Sequence, residues 1–137
     1  MPDVFATVTT DPLDRAAIEA FVLTPRDGAM VTFEGVIRDH DHGESVELLD
    51  YEAHPEAEAF LRAVCEEIAE EFGVRVAAAH RVGRLGVGDV ALVASVASAH
   101  RADAFAACSE LVDRIKERTP IWKRQHLATG TTEWVNL

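Results

Sequence analysis

"VALVASVASAHRADAFAACSELVDRIKERTP", residues 90–120, decides the fold. Residues 90–98 are almost continuously apolar, the pattern of a central strand covered on both faces. From about Arg101 to Arg118 the period changes. Ala104, Phe105, Cys108, Leu111, Val112 and Ile115 recur at helical spacing and predict a buried stripe. Pro120 ends that helix, because proline lacks the N–H that the next turn needs.

Reading outward, "VRVAAAHRV" before this stretch alternates and predicts a strand, and "GRLGVGD" between the two predicts a turn. Phe60, Leu61, Val64, Cys65, Ile68 and Phe72 place a helix over about 55–72, with Gly73 as its C-terminal stop. "VELLDYEA" and "AMVTFEGVI" predict strands joined by the polar loop "RDHDHGES"; Gly35 inside the second marks a bulge or a close backbone approach. At the N-terminus "VFATVT" reads as a strand. Asp11 caps a following helix, with Pro12 at its first position and Ile18, Phe21 and Val22 on its apolar face. "TEWVNL" closes the chain as a short strand. The order is β-α-β-β-α-β-β-α-β, and its first six elements fit a βαββαβ, ferredoxin-like arrangement. The expected class is α+β: a mostly antiparallel sheet with helices on one side, in a single domain over residues 1–137.

The 137 residues are 48% hydrophobic, enough for a real core, and carry a formal net charge of -11. Double-stranded nucleic acid is therefore excluded as a main partner, since phosphate binding needs a basic face. No signal peptide and no bilayer-spanning run are read, so a cytoplasmic protein is expected. Cys65 and Cys108 both fall on apolar helix stripes and read as buried structural thiols.

Against this acidic background His100 and Arg101 stand out. They open a helix, where the dipole is positive and cations are normally absent. A bound anion would explain them; pairing with acids such as Asp103 is the plainer reading. "KERTPIWKRQ", residues 116–125, groups Lys116, Lys123 and Arg124, and neighbouring cations can hold a lysine amine neutral near pH 7. The plainer reading is a solvated basic turn anchored by a buried Trp122. Arg38 follows a strand, at the kind of position where loops carry function. The run Asp39, His40, Asp41, His42, Glu44 invites a metal, but a flexible loop lacks the supporting shell that a metal site needs.

Together "FEGVIRDHDHGESVELLDYEAHPEAE", "HRVGRLGVGD", "SAHRADAFAACSELVDRIK" and "PIWKRQ" resemble, in that order, the large catalytic subunit of molybdopterin synthase, the MoaE family. The likeness runs from about residue 28 to 135. It implies an α/β hammerhead with an additional antiparallel β subdomain. It also implies sulfur transfer to cyclic pyranopterin monophosphate (precursor Z), giving the molybdopterin dithiolene. The sulfur would arrive as a thiocarboxylate on the C-terminal Gly-Gly of a small ubiquitin-like subunit. The assembly implied is a homodimer within a heterotetramer, with no cofactor and no metal.

By position, Lys116 and Lys123 match the family's catalytic lysines. Arg38, His100 and Arg101 match its anion-binding cations. Val36, Ile37 and Arg124 flank them, and Phe33 matches an aromatic near the site. Two positions depart from the pattern. Gln125 stands where the family usually has Glu, and Ala57 where many members have Met. Gln125 is the one feature that favours a non-catalytic binding module. A metal-dependent hydrolase built on His40 and His42 is the third reading.

Overall fold

A computed structural model describes residues 3–41, 44–130 and 132–137. In chain order the elements are β1 (Val4–Thr9), α1 (Arg15–Val22), β2 (Ala29–Val36), β3 (His40–Asp41), β4 (Glu44–Ala53) and α2 (Ala57–Phe72). Then come β5 (Arg75–Arg81), β6 (Gly83–Gly86), β7 (Val90–Ser98), α3 (Arg101–Arg118), β8 (Ile121–Leu127) and β9 (Thr132–Asn136). The class is α+β, with two sheets and three helices among the described residues.

The first sheet has the order β1-β5-β7-β2. β1 and β5 run parallel; β5–β7 and β7–β2 are antiparallel. β7 is central and buried from Ala91 to Ser98, as its apolar run predicts. Alternation splits its side chains and those of β5 between two layers. Val76, Ala78, Leu92, Ala94 and Val96 pack under α2 and α3. Ala77, Ala79, Val93 and Ala97 pack under α1, through Ile18 and Val22. The helices therefore cover both faces, not one.

The ferredoxin-like arrangement is not formed. β4, the strand it assigns to the first sheet, leaves to found a second one, ordered β3-β4-β8-β9 with β6 also on β4. Two short strands were hidden in polar or glycine-rich sequence. Gly83–Gly86 pairs with Leu48–Tyr51, so the turn is confined to the residues after it. His40 and Asp41 pair back onto Ser45 and Glu44. β8 was also missed, because "IWKRQHL" sets four polar or charged residues, Lys123 to His126, in a row and so reads as a solvated turn, although the paired strand gives them two different faces.

Local chemistry explains the helix ends. α1 starts later than Pro12 suggests, since Asp14 is the cap and its Oδ1 accepts from the Ala17 N–H at 3.1 Å. Gly73 closes α2 at φ 65°, a conformation that costs glycine little. α3 ends at Thr119, whose N–H reaches the Ile115 carbonyl. Two aromatics placed on buried stripes are instead exposed: Phe60 at 50% and Phe105 at 62%. Both lie at the margin of their helix's apolar arc, and Ala57 and Ala107 fill the buried places.

Candidate functional site

A cavity of about 310 Å³ opens where the two sheets meet, a volume in the range of small-molecule sites. Five elements, β2, β4, β5, α3 and β8, and one loop bring its polar groups together. β2 supplies Phe33, Glu34, Gly35 and Val36, and the chain leaving it adds Ile37 and Arg38. The register of β2 on β7 shifts between Gly35 and Val36, a bulge that redirects the strand toward the cavity. A Cβ at Gly35 would stand 3.3 Å from Leu92 Cβ, so both anticipated reasons for a glycine apply.

α3 delivers Lys116 in its last turn, where a cation is favourable. β8 delivers Lys123 and Gln125. Being two residues apart on a strand, they share a face. Across the β4–β8 ladder Lys123 is paired with Tyr51 and Gln125 with Leu49; all four line the cavity. Gln125 is buried at 2% exposure, so an amide and not a carboxylate faces this space beside Lys123.

Of the expected site residues, Phe33, Val36, Ile37, Arg38, Lys116, Lys123 and Gln125 line one cavity. Arg124 does not. It occupies the other face of β8, with its guanidinium carbon 5.9 Å from the centre of the Trp134 ring. Trp122, on that same face, is 40% exposed and is no buried anchor.

His100 and Arg101 do not reach the cavity either. They are exposed at the N-terminal end of α3, and Lys116 is in its last turn. Fifteen residues of helix separate Arg101 from Lys116, about 22 Å at 1.5 Å per residue. No side-chain hydrogen bond from His100 caps the helix. One chain therefore holds two separate cationic places, not the single pocket that the sequence suggests.

The sequence reading missed Tyr51 and His80. His80, the next to last residue of β5, is 2% exposed and lines the cavity. Its ring packs edge-on to Tyr51 with centroids 5.1 Å apart. Burial pushes its pKa down to about 4, and the nearby Lys116 charge adds to that, so it is neutral at pH 7. Burial pushes the Tyr51 phenol up to about 12. A histidine ending a strand of alanines was the available signal.

Cys65 and Cys108 are free and buried; burial raises their pKa values to about 12 and about 11, which removes them as nucleophiles. His42 of the candidate metal loop lies outside the described residues. Among the described residues no group of three or more His, Cys, Asp or Glu side chains could hold a metal. No described helix is long and apolar enough to cross a membrane.

The family model described as MoaE protein matches residues 8–118. The molybdopterin synthase catalytic subunit 1 of Mycobacterium tuberculosis is 40% identical over 96% of this chain and 90% of its own length. The molybdopterin synthase catalytic subunit of Thermoplasma volcanium is 38% identical, over 98% of this chain and 99% of its own. The crystal structure of molybdopterin synthase from Staphylococcus aureus is similar with a TM-score of 0.89 and 34% identity, covering 97% of each chain.

Proposed function

Since the chain belongs to the MoaE family, we propose that its cavity is where sulfur passes from the thiocarboxylated C-terminus of a small ubiquitin-like subunit to cyclic pyranopterin monophosphate. The observation that carries this reading is the convergence of Arg38, Lys116 and Lys123 on one cavity in a protein of net charge -11. The donor tail is an anion and so is the cyclic phosphate. Local cations offset the repulsion that both would otherwise meet.

Each residue has a role set by its place. Arg38, at the mouth formed by the chain leaving β2, binds anionic oxygen. Lys116 and Lys123 approach from different elements, α3 and β8, so the cavity can hold donor and acceptor between two ammonium groups. The thiocarboxylate sulfur bonds to a pterin carbon. Water adds to the resulting thioester carbon, and the C–S bond to the tail breaks, releasing the tail as a carboxylate. Negative charge develops on the acyl oxygen of the tail and on the pterin along the way. Lysines already in place stabilise that charge and exchange the protons of each addition. The apolar wall of Phe33, Ile37 and Leu49 keeps the site poor in water, which strengthens those interactions.

His100 and Arg101 join this chemistry from a second copy of the chain. The length of α3 denies them their own cavity, while their exposure leaves them able to reach a neighbour's. The working unit is then a homodimer with one small subunit at each end, residues 1–137 acting as one domain, in the cytoplasm.

Reconstitution tests the reading. The protein, thiocarboxylated small subunit and precursor should together yield molybdopterin, and exhaustive chelation should not stop it. Removing the two terminal glycines of the small subunit should weaken its binding and abolish transfer. Full activity with the truncated partner would refute tail insertion. Binding of partner and precursor without product would favour the non-catalytic module that Gln125 allows.

A further inference from the structure

We propose that the groove between β2 and α3 is where a second copy of this chain docks, each copy seating its Phe105 in the groove of the other. The inference rests on the reading that His100 and Arg101 of one copy serve the cavity of another, and it names the face through which they do so.

Symmetry locates that face. Two identical chains that exchange the same contact are related by a two-fold axis. An axis across α3 runs the two helices antiparallel and sets positions equally far from it opposite one another. For Arg101 to stand opposite Lys116 of the other copy, the axis must cross the helix halfway between them, at Cys108 and Ser109. It then also sets Phe105 opposite Val112.

An apolar groove of about 360 Å³ lies at that point. Val31 and Phe33 of β2 line it together with Phe105, Cys108, Ser109 and Val112 of α3. Phe105 is exposed. An exposed ring beside an apolar groove puts knob and hole on one patch, which a self-complementary contact requires. Ala102, Ala106 and Ser109 are exposed on the same helix, and their short side chains let a second helix approach closely. Phe33 lines both this groove and the cavity, so a copy seated here stands beside the cavity.

The two edges of the first sheet differ in the same sense. β1 and β2 are its edge strands. On β1 the Val8 N–H donates to Glu58 at 2.9 Å, and the Ala6 carbonyl accepts from Arg62 at 3.4 Å, so side chains of α2 cover that edge. β2 carries exposed Met30 and Val36 and one charged residue, Glu34, which is paired with Arg15. A long edge strand with so little charge is one that soluble proteins cover.

Solution measurements on the full chain test this. Sedimentation of the unsubstituted protein should show a dimer. Phe105→Asp should raise its dissociation constant by about thirtyfold or more, as for an aromatic anchor near the centre of an interface. Ser109→Cys should give a disulfide-linked dimer with a mild oxidant, because position 109 lies beside the axis. Glu70→Cys, exposed on α2, should not. A monomeric unsubstituted protein would overturn the proposal, as would a folded Phe105→Asp with an unweakened dimer. A dimer in which Ser109→Cys fails to link places the contact on another face and rejects it. Phe105→Asp that keeps the dimer but loses the small subunit gives the groove to that subunit, and rejects it too. The cross-link decides where Phe105→Asp does not fold.

Cross-linking is read without turnover, so the two readings fail separately. If reconstitution yields no molybdopterin and Ser109→Cys links, the functional reading falls and the docking face stands. If molybdopterin forms and Ser109→Cys does not link, only this inference falls.

Discussion

Lys123 stands directly across the β4–β8 ladder from Tyr51, and both side chains face the cavity between the sheets. This pairing fixes a catalytic candidate to a strand and not to a loop. Strand positions hold a group more precisely than loops do, because every second residue shares a face and the ladder sets the register. Lys116 arrives independently, at the end of α3. Two cations from two rigid elements then address one space.

That arrangement predicts the same phenotype for both lysines. Lys116→Ala and Lys123→Ala should each lower turnover by about a hundredfold or more while small-subunit binding persists. Neither side chain is part of a buried core, so both variants should keep their circular dichroism and melting temperature. Steady-state kinetics beside a binding isotherm separates the two effects. Near-normal turnover of both variants at saturating substrate would reject the mechanism.

Gln125 offers a test with a defined sign. It shares a strand face with Lys123 and is almost fully buried. Gln125→Glu introduces a carboxylate beside an ammonium group. An opposite charge favours the charged form of each partner, so the pKa of Lys123 should rise. The limb of the pH–rate profile that reports Lys123 should therefore move to higher pH. An unmoved profile in a folded variant would show that position 125 does not act on Lys123.

Much of this was legible in the sequence, and the failures have physical causes. α2 and α3 declare themselves through long apolar periods, and β7 through its unbroken apolar run. β6 and β8 do not. Gly83–Gly86 looks like a turn because two glycines bound it, yet its backbone pairs with Leu48–Tyr51. "IWKRQHL" looks like a solvated basic turn, yet the ladder with β4 turns Lys123 and Gln125 inward and Arg124 outward. The residue types of the site could be read, but their grouping could not. Separating His100 and Arg101 from Lys116 needs the straight length of α3. Finding His80 needs the junction of two sheets, which no local pattern encodes.

The separation within α3 yields a prediction about sharing. Arg101→Ala removes a charge-assisted contact to substrate, which should weaken substrate binding by about 1.5–3 kcal/mol. If the contact is made across a dimer, co-expressed Arg101→Ala and Lys116→Ala chains should complement. A mixed dimer then holds one site with both defects and one with neither. Activity of the mixed population above that of either variant alone is the expected result. Absence of any gain, with mixed dimers shown to form by differential tagging, would place Arg101 outside the shared site.

The last prediction concerns stability on the far face of the second sheet. Asp50 accepts from Arg84 Nε at 2.9 Å and Nη2 at 3.0 Å, and lies 2.6 Å from His126 Nε2. Its neighbours on β4, Leu49 and Tyr51, face the cavity, so Asp50 and its partners are structural. Arg84, then burial acting in the opposite sense, then His126 set its pKa; the net effect holds the carboxyl well below the usual range. An unfolded aspartate titrates near 4. A folded carboxyl with a depressed pKa contributes stability that is full above that value and is lost as pH falls through the folded one. Asp50→Asn should therefore cost about 1 kcal/mol near neutral pH, the scale of a partly exposed pair. The gap in stability from the unsubstituted protein should stay constant down to about pH 5 and close as the pH falls through and below 4. Urea titrations of both proteins between pH 2 and 7 would measure it. A gap that stays constant down to pH 2 would mean that the carboxylate charge contributes nothing there.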